Sequence, residues 1–538
     1  MYRFKHIPIL FFLYVFISYG CSGTQKSPVK QSENNKLNKK LQPPNVLFIA
    51  FDDLKPLLGA YGDSLAVTPH LDHLADQSFV FLNNHCQWAV CGPSRASLMT
   101  GQRPDFTGVR DLRTRMRDVH PNILTIPQYF KQNGYITTGV GKIYDPRCVD
   151  EHLDSPSWTI PFVKASQLSF PSEYGRPAFG YYQNKKIKST IQKRLKEARK
   201  KGIKNPVKYV RSRYKPPFEM SDAPDDAYID GAIANQGIEL LEKLTKKNQP
   251  FFLAIGFKRP HLPFVAPRKY WDLYNEEEMP LAVFRKMSSH PCKVAYHSSP
   301  ELRSYVTDTI EYQLDKNNLL SLDEKFQKKL IHGYYASMSF VDAQFGKILN
   351  KLKEYQLLDN TIIVVWGDHG WHLGDHSMWT KHSNFEQATR SPLIIYIPGN
   401  TKGLKIDSPT EFVDIFPTLC DLAALETPEN LQGKSLYPLF SGEKFSKKYA
   451  VSEMRRGKIM GYSFRTKRYR YTVWLKEKIS TDSDITEDHI YGEELYDYKN
   501  DPYETHNLVV SPEYQNIKNQ LKKEAFAFFQ QQYKLYRQ

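Results

Sequence analysis

The chain has 538 residues, 41% of them hydrophobic and 13% aromatic, enough apolar side chain to bury a large core and to exclude wholesale disorder. That length exceeds one ordinary core, so two packed units behind a targeting segment are expected. The formal net charge of +16 favours acidic partners. No nucleic-acid recognition motif accompanies the excess, so an acidic polysaccharide is the expected partner and nucleic acid is not.

Arg3 and Lys5 precede an almost wholly apolar run, Ile7 to Ile17, and Ser18-Tyr19-Gly20 then leads to Cys21. This reads as a signal peptide over residues 1–20, too short for the ~18–20 residues of a membrane span. Small residues before a cysteine resemble a bacterial lipoprotein box. That resemblance implies lipidation of Cys21, a membrane anchor, and export to the periplasm or outer membrane. Ser18 stands where such boxes usually carry Leu, and ordinary signal cleavage with Cys21 incidental is the alternative. Residues 21–43, polar and rich in Lys and Asn, read as a flexible tether.

Residues 44–440 then alternate short apolar runs with helical patterns. The fold class expected is α/β, a mostly parallel sheet with helices on both faces. Asn45 to Phe51 ends in Asp52-Asp53, Ile136 to Val140 in Gly141-Lys142, Phe251 to Phe257 in Lys258-Arg259-Pro260-His261, and Thr361 to Trp366 in Gly367-Asp368-His369. Ligands of open α/β sheets bind at the carboxyl ends of the strands, so these polar groups can converge on one crevice. A single Asp pair reads equally well as a helix cap, and a single Gly-Lys as a solvated turn. Four coincidences are harder to dismiss.

Between the first two runs lies Cys91-Gly92-Pro93-Ser94-Arg95-Ala96-Ser97-Leu98-Met99-Thr100-Gly101. Pro93 suits the first turn of a helix and Gly101 its end. Cys91 would then sit at a helix N-terminus, where dipole and free amides favour an anion, with Arg95 one turn in. Asp52, Asp53 and Asp368 offer hard oxygen ligands suited to Ca²⁺ or Mg²⁺. A buried free cysteine in a turn is the plain alternative for Cys91.

Cys-x-Pro-Ser-Arg followed by a Leu-x-x-Gly turn resembles the signature of type I sulfatases. The resemblance implies an alkaline-phosphatase-like fold and oxidation of Cys91 to formylglycine by a formylglycine-generating or sulfatase-maturing enzyme. One hydroxyl of the hydrated aldehyde attacks sulfur, and the other later expels sulfate. It also implies one Ca²⁺ held by Asp52, Asp53, residue 91, Asp368 and His369. Arg95, Lys142, His261 and Lys381 match catalytic positions, the last three also substrate-binding ones. Asp-His-Gly at 368–370, the run Gly256 to Phe264 and the run Trp379 to Phe385 resemble the iduronate-2-sulfatase branch. The family carries a histidine shortly after Gly-Lys. Here its place holds Asp145, which either takes over the histidine's catalytic role or marks a different substrate.

The substrate expected is therefore a sulfated saccharide, either 2-O-sulfated iduronate or an algal polysaccharide of the ulvan or carrageenan type. Substrate contacts are expected in loops and insertions, including Pro146 to Pro224. Within that stretch Lys185 to Lys215 carries Glu197 as its only acid, a polyanion contact or simply a solvated helical face. Residues 441–538 read as a smaller α+β subdomain with an antiparallel sheet and a terminal helix, where Arg465, Arg468 and Arg470 either reach a polyanion or line a basic strand face. The remaining cysteines, Cys86, Cys148, Cys292 and Cys420, have no metal-like spacing and specify no disulfides. A phosphomonoesterase or phosphodiesterase of the alkaline-phosphatase superfamily and a non-catalytic glycan-binding lipoprotein are the rival readings.

Overall fold

The run from Asn45 becomes a strand buried along its whole length, β1 (Asn45–Asp52), in a computed structural model of the protein that describes residues 43–476 and 485–536. The signal, the tether and Cys21 lie outside the described residues. Side chains alternate across a strand, and both faces of β1 are covered. Val46, Phe48 and Ala50 enter one core, while Leu47, Ile49 and Phe51 enter another.

The chain continues through β2 (Phe79–Phe81), α1 (Cys91–Thr100), β3 (Ile136–Gly141), α2 (Lys185–Lys200), α3 (Pro206–Arg211), α4 (Ile229–Thr245), β4 (Phe251–Pro260), α5 (Glu324–Glu354), β5 (Thr361–Gly367), β6 (Leu393–Tyr396) and β7 (Leu404–Ile406). The strands form one sheet in the order β7-β2-β6-β5-β1-β4-β3. β1 runs parallel to β5 and β4, and β3 parallel to β4; β6 is antiparallel to both of its neighbours. Leu98 and Met99 of α1 fill the first core, and α4 and α5 fill the second. This is the mostly parallel, two-sided sheet expected of an alkaline-phosphatase-like fold.

One detail differs from the expected runs and one agrees with them. β4 continues three residues past Phe257, because the register shifts until Asp52 faces Pro260. α1 opens at Cys91 itself and is closed by Gly101 at φ 65°. The basic stretch forms α2 and α3, and α2 buries only Ile191 and Ala198, so most of it is solvated.

A second sheet runs β8 (Tyr449–Arg456), β9 (Ile459–Thr466), β10 (Tyr469–Lys476) and β11 (Ile490–Asp497), antiparallel throughout. α6 (Gln515–Tyr536) packs Leu521, Ala525, Phe528 and Phe529 against it. The three arginines of this region do not reach outward for a polyanion. Arg470 lies 2.6 Å from Glu386 and 2.8 Å from Glu504, Arg465 lies 2.9 Å from Glu386, and Arg468 lies 2.7 Å from Asp497. The pairings of Arg470 and Arg465 with Glu386 pin the small sheet to the segment after Lys381. Breaking a buried pair leaves charge uncompensated, so Arg470→Met is expected to cost about 3–5 kcal/mol in denaturant unfolding. A loss below roughly 1 kcal/mol, the scale of an exposed pair, would show that this contact does not hold the two sheets together.

Candidate active site

All four strand ends deliver their polar groups to one edge of the sheet. Asp52 is the last residue of β1, and Asp53 follows in a left-handed conformation at φ 64°. That turn is held on both sides. Asp53 N donates to Asp368 Oδ1 at 2.9 Å, and Tyr334 Oη donates to the Asp53 carbonyl at 2.8 Å. Gly141 ends β3 where a Cβ would stand 2.0 Å from the Gly256 carbonyl oxygen, so only glycine lets Lys142 turn in so close to β4.

Arg95 is fully buried at the centre. Its Nε donates to Asp368 Oδ2 at 2.9 Å, Nη2 to Asp52 Oδ1 at 3.1 Å, and Nη1 to the carbonyls of Ile143 at 3.0 Å and of Lys142. Lys142 Nζ lies 2.6 and 2.7 Å from the Asp52 carboxylate, and Lys381 Nζ lies 2.8 and 2.9 Å from that of Asp53. Burial would raise the Asp52 carboxyl, but Lys142, Arg95 and Lys381 outweigh it and hold it well below the usual range. Asp53 goes the other way. Burial, reinforced by Asp52, Glu301 and Asp368, pushes it up against the pull of Lys381, which leaves this corner short of positive charge.

Cys91 Sγ stands 3.6 Å from Asp53 Oδ1 and 3.5 Å from His369 Nε2. The His369 ring is neutral, its pKa drawn down to about 4 chiefly by burial. Its Nδ1 donates to the Gly370 carbonyl at 2.9 Å, which leaves the Nε2 lone pair facing Asp53 at 3.3 Å, the tautomer that ligates a metal. Donor atoms of Asp53, Cys91, Asp368 and His369 lie within 4.8 Å of one another, as do those of Asp52, Asp53, Cys91 and His261. Two oxygens each ~2.4 Å from one calcium ion are at most about 4.8 Å apart, so this donor set suits a hard divalent cation.

His261 Nδ1 lies 2.5 Å from the Leu262 carbonyl, and Nε2 lies 3.3 Å from Glu301 and 3.7 Å from Asp53. Glu301 also touches Lys381 at 3.1 Å and His382 at 3.4 Å. No motif marked Glu301. It lies in a one-turn helix, Pro300–Arg303, far along the chain from every strand end, where a lone acid after Pro300 reads as a residue favouring the helix start. Asp145 is buried, 3.8 Å from Lys142, but Arg147 takes both of its oxygens at 2.8 and 2.7 Å. Arg147 and Lys142 outweigh burial and hold its pKa at about 2. A cleft of about 840 Å³ opens over Cys91, Lys142, Asp145, His261 and Lys381.

A sulfatase family model matches residues 44–425, and a second, described as the C-terminal part of N-sulphoglucosamine sulphohydrolase, matches residues 374–531. The chain belongs to the sulfatase family. It is a sulfuric ester hydrolase, a class that generally uses a metal ion. Human iduronate 2-sulfatase is 33% identical over 89% of this chain and 94% of that protein. An ulvan-active sulfatase of Formosa agariphila is 25% identical over 94% of this chain and 83% of its own. A structure solved with D-glucosamine-2-N,6-O-disulfate as its substrate superposes at a TM-score of 0.68, with 21% identity, over 92% of this chain and 98% of its own.

The unmodified Cys91 thiol is poorly suited to attack as a thiolate. Burial, with Asp368 and Asp52, pushes its pKa well above the ordinary thiol value, against the opposing pull of Lys142 and Lys381. Thiolate character governs alkylation. In protein produced without a maturing enzyme, Cys91 should therefore react with iodoacetamide at pH 8 at least about tenfold more slowly than in the unfolded chain. Equal rates, read by peptide mass spectrometry, would show that the pocket does not suppress the thiolate.

Proposed function

We propose that the enzyme removes O-sulfate from an acidic or sulfated saccharide, with Cys91 as formylglycine and one Ca²⁺ held by Asp52, Asp53, residue 91, Asp368 and His369. The observation that carries this is the placement of Cys91. It opens α1 with an inactive thiol, yet stands among three buried carboxylates, a ligating imidazole and two lysines. Formylglycine supplies a geminal diol where the thiol stands, and Ca²⁺ supplies the positive charge that polarises a sulfate oxygen.

The remaining work falls to the chain's own groups. The α1 N-terminus, Lys142 and Lys381 offset negative charge on the sulfate oxygens. Arg95 fixes Asp52 and Asp368, so the carboxylates need not reorganise. A sugar hydroxyl is a poor leaving group and takes up a proton as the S–O bond breaks. His261 supplies it from Nε2. Burial and Lys381 draw the free ring's pKa down to about 3, so it is neutral until the sulfate's own negative charge arrives beside it and raises that pKa. Asp145, ionised and engaged with Arg147, orients Lys142 and does not carry a proton.

Support for a saccharide comes from relatives whose names specify iduronate and ulvan. The sugar is one of those types or a close analogue. Export with a lipid anchor at Cys21, in the periplasm or at the outer membrane, is proposed on the amino-terminal residues alone.

Cys91→Ala should abolish sulfate release with the fold intact, and the Cys91 peptide of matured enzyme should show sulfur replaced by oxygen. Turnover of an aryl phosphate but not an aryl sulfate would favour the phosphatase reading instead. Asp368→Asn should lose bound calcium by elemental analysis and lose the rise in Tm that calcium gives the parent; undiminished calcium would remove Asp368 from the metal site. His261→Ala should slow saccharide sulfates by about 10²–10⁴ yet spare activated aryl sulfates. A general acid works only while protonated, so kcat on saccharides should fall as pH rises through the raised pKa of the complex, with no such limb on aryl sulfates. Equal loss on both substrates would assign His261 to sulfate binding.

A further inference from the structure

The cleft over Cys91 holds more positive charge than the sulfate site uses. Its walls carry eight lysines and arginines against four acids: Asp52, Asp145, Glu151 and Glu301. Asp52 is taken by Lys142 and Arg95, Asp145 by Arg147, and Glu301 by Lys381, His261 and His382. Glu151 has His152 as its partner at 3.3 Å. Among the described residues, Arg211, Lys215 and Lys258 form no ion pair with a carboxylate within 4.0 Å.

Two of these cations come from the basic insertion. Arg211 ends α3, and Lys215 follows it. The insertion is fixed against the segment that carries Glu301. Lys215 N donates to the Val306 carbonyl at 2.6 Å, and its Nζ donates to Ser304 Oγ at 3.0 Å and stands 3.6 Å over the Tyr305 ring. Arg194 pairs with Asp308 at 2.5 Å. Lys258 and Arg259, brought in by the extended end of β4, complete the wall. Arg259 is fully buried: its Nε lies 3.5 Å from the Asp230 carboxylate, its Nη1 is satisfied by loop carbonyls, and its Nη2 has no hydrogen-bond partner. Burial, then the charge of Arg211, draws Lys215 down to about 8. Like charges gathered with too few counter-ions oppose folding, so Arg211, Lys215 and Lys258, facing a cleft beside the singly paired Arg259, are what a bound anion would relieve. The patch adjoins the sulfate site, since Lys258 feels the charge of Lys142 and Lys215 that of Glu301.

We infer that Arg211, Lys215, Lys258 and Arg259 form a second anion subsite, which takes a further carboxylate or sulfate on the same substrate. This rests on the sulfatase reading and narrows it. The preferred substrate carries an anionic oxyacid group beside the ester that is cleaved, and the insertion contributes specificity and takes no part in the chemistry. A site built to bind a charged group rejects the analogue that lacks it.

The test compares kcat/KM of matured enzyme on three sulfated disaccharides: one with a uronate carboxylate, its carboxyl-reduced form, and that reduced form with a second sulfate. The parent should favour one or both dianionic substrates by about 10- to 100-fold, the worth of charge-assisted hydrogen bonds. Which of the two it favours identifies the group. Arg211→Ala with Lys215→Ala should bring the ratio near unity, whereas Lys215→Arg, which retains the charge, should keep it. Arg211→Gln, of similar length, should show part of the loss and guards against misfolding of the double variant. No preference in the parent, or a preference that survives the double variant, overturns the subsite. Binding of the non-sulfated uronate and of the free second-sulfate disaccharide, by calorimetry, needs no turnover. Binding of either that weakens at least about tenfold in the double variant supports the subsite, and equal binding of both overturns it. Failure to release sulfate from any saccharide or aryl sulfate would instead sink the sulfatase reading, whatever the binding shows.

Discussion

Arg95 reaches from one turn into α1 to the ends of three parallel strands: Asp52 on β1, the Lys142 and Ile143 carbonyls beyond β3, and Asp368 beyond β5. Its guanidinium also lies 5.1 Å from the centre of the Trp366 ring. Arginine is suited to this because its planar fork keeps its charge and presents donors in fixed directions. The consequence is geometric. The helix carrying Cys91 cannot shift relative to the carboxylates without leaving buried charge unpaired, which sets the distances among residue 91, Asp53 and His369.

The same burial creates an electrostatic problem that the fold only partly solves. Asp52, Asp53 and Asp368 are all excluded from water, and three cations, Arg95, Lys142 and Lys381, are placed against them. Asp53 remains the least compensated, because Glu301 competes for Lys381. A buried acid left short of positive charge beside a neutral imidazole is what a divalent cation would complete. Lysines alone would give a static salt-bridge cluster. Lysines plus a histidine whose free nitrogen faces the carboxylates give a donor set that would suit an ion and still face an anionic substrate.

Around this rigid centre the chain adds parts by different physical means. The small C-terminal sheet is tied on through Arg465 and Arg470 to Glu386, in the segment after Lys381, while Glu504 of the subdomain itself bonds both Arg470 and the Glu386 backbone, so its arginines serve cohesion. The basic insertion is mostly solvated, with one end docked at the cleft through backbone and ring contacts. In both cases a run of arginine and lysine looks the same along the chain, and only the neighbours separate structural pairing from a surface left for a ligand.

Much of the site was legible in the residues. The strands from Asn45, Ile136, Phe251 and Thr361 are continuous apolar runs, and a parallel sheet forces their carboxyl ends to one edge, so Asp52, Lys142, His261 and Asp368 had to meet there. Pro93 and Gly101 marked α1 for local backbone reasons, proline by its fixed φ and glycine by its access to positive φ. What the sequence could not show depends on contacts between residues far apart. Glu301 sits beside Lys381 and His261 only because a one-turn helix is folded across the cleft, and no local periodicity encodes that. Asp145 occupies a place expected for a proton carrier, yet Arg147 binds both of its oxygens. The ownership of Arg465, Arg468 and Arg470 by acids was equally hidden. Local sequence determined the elements and the edge where they end, because propensity and patterning act over a few residues. Tertiary structure decided which charges are paired, because pairing depends on distance in space and on the water that burial removes.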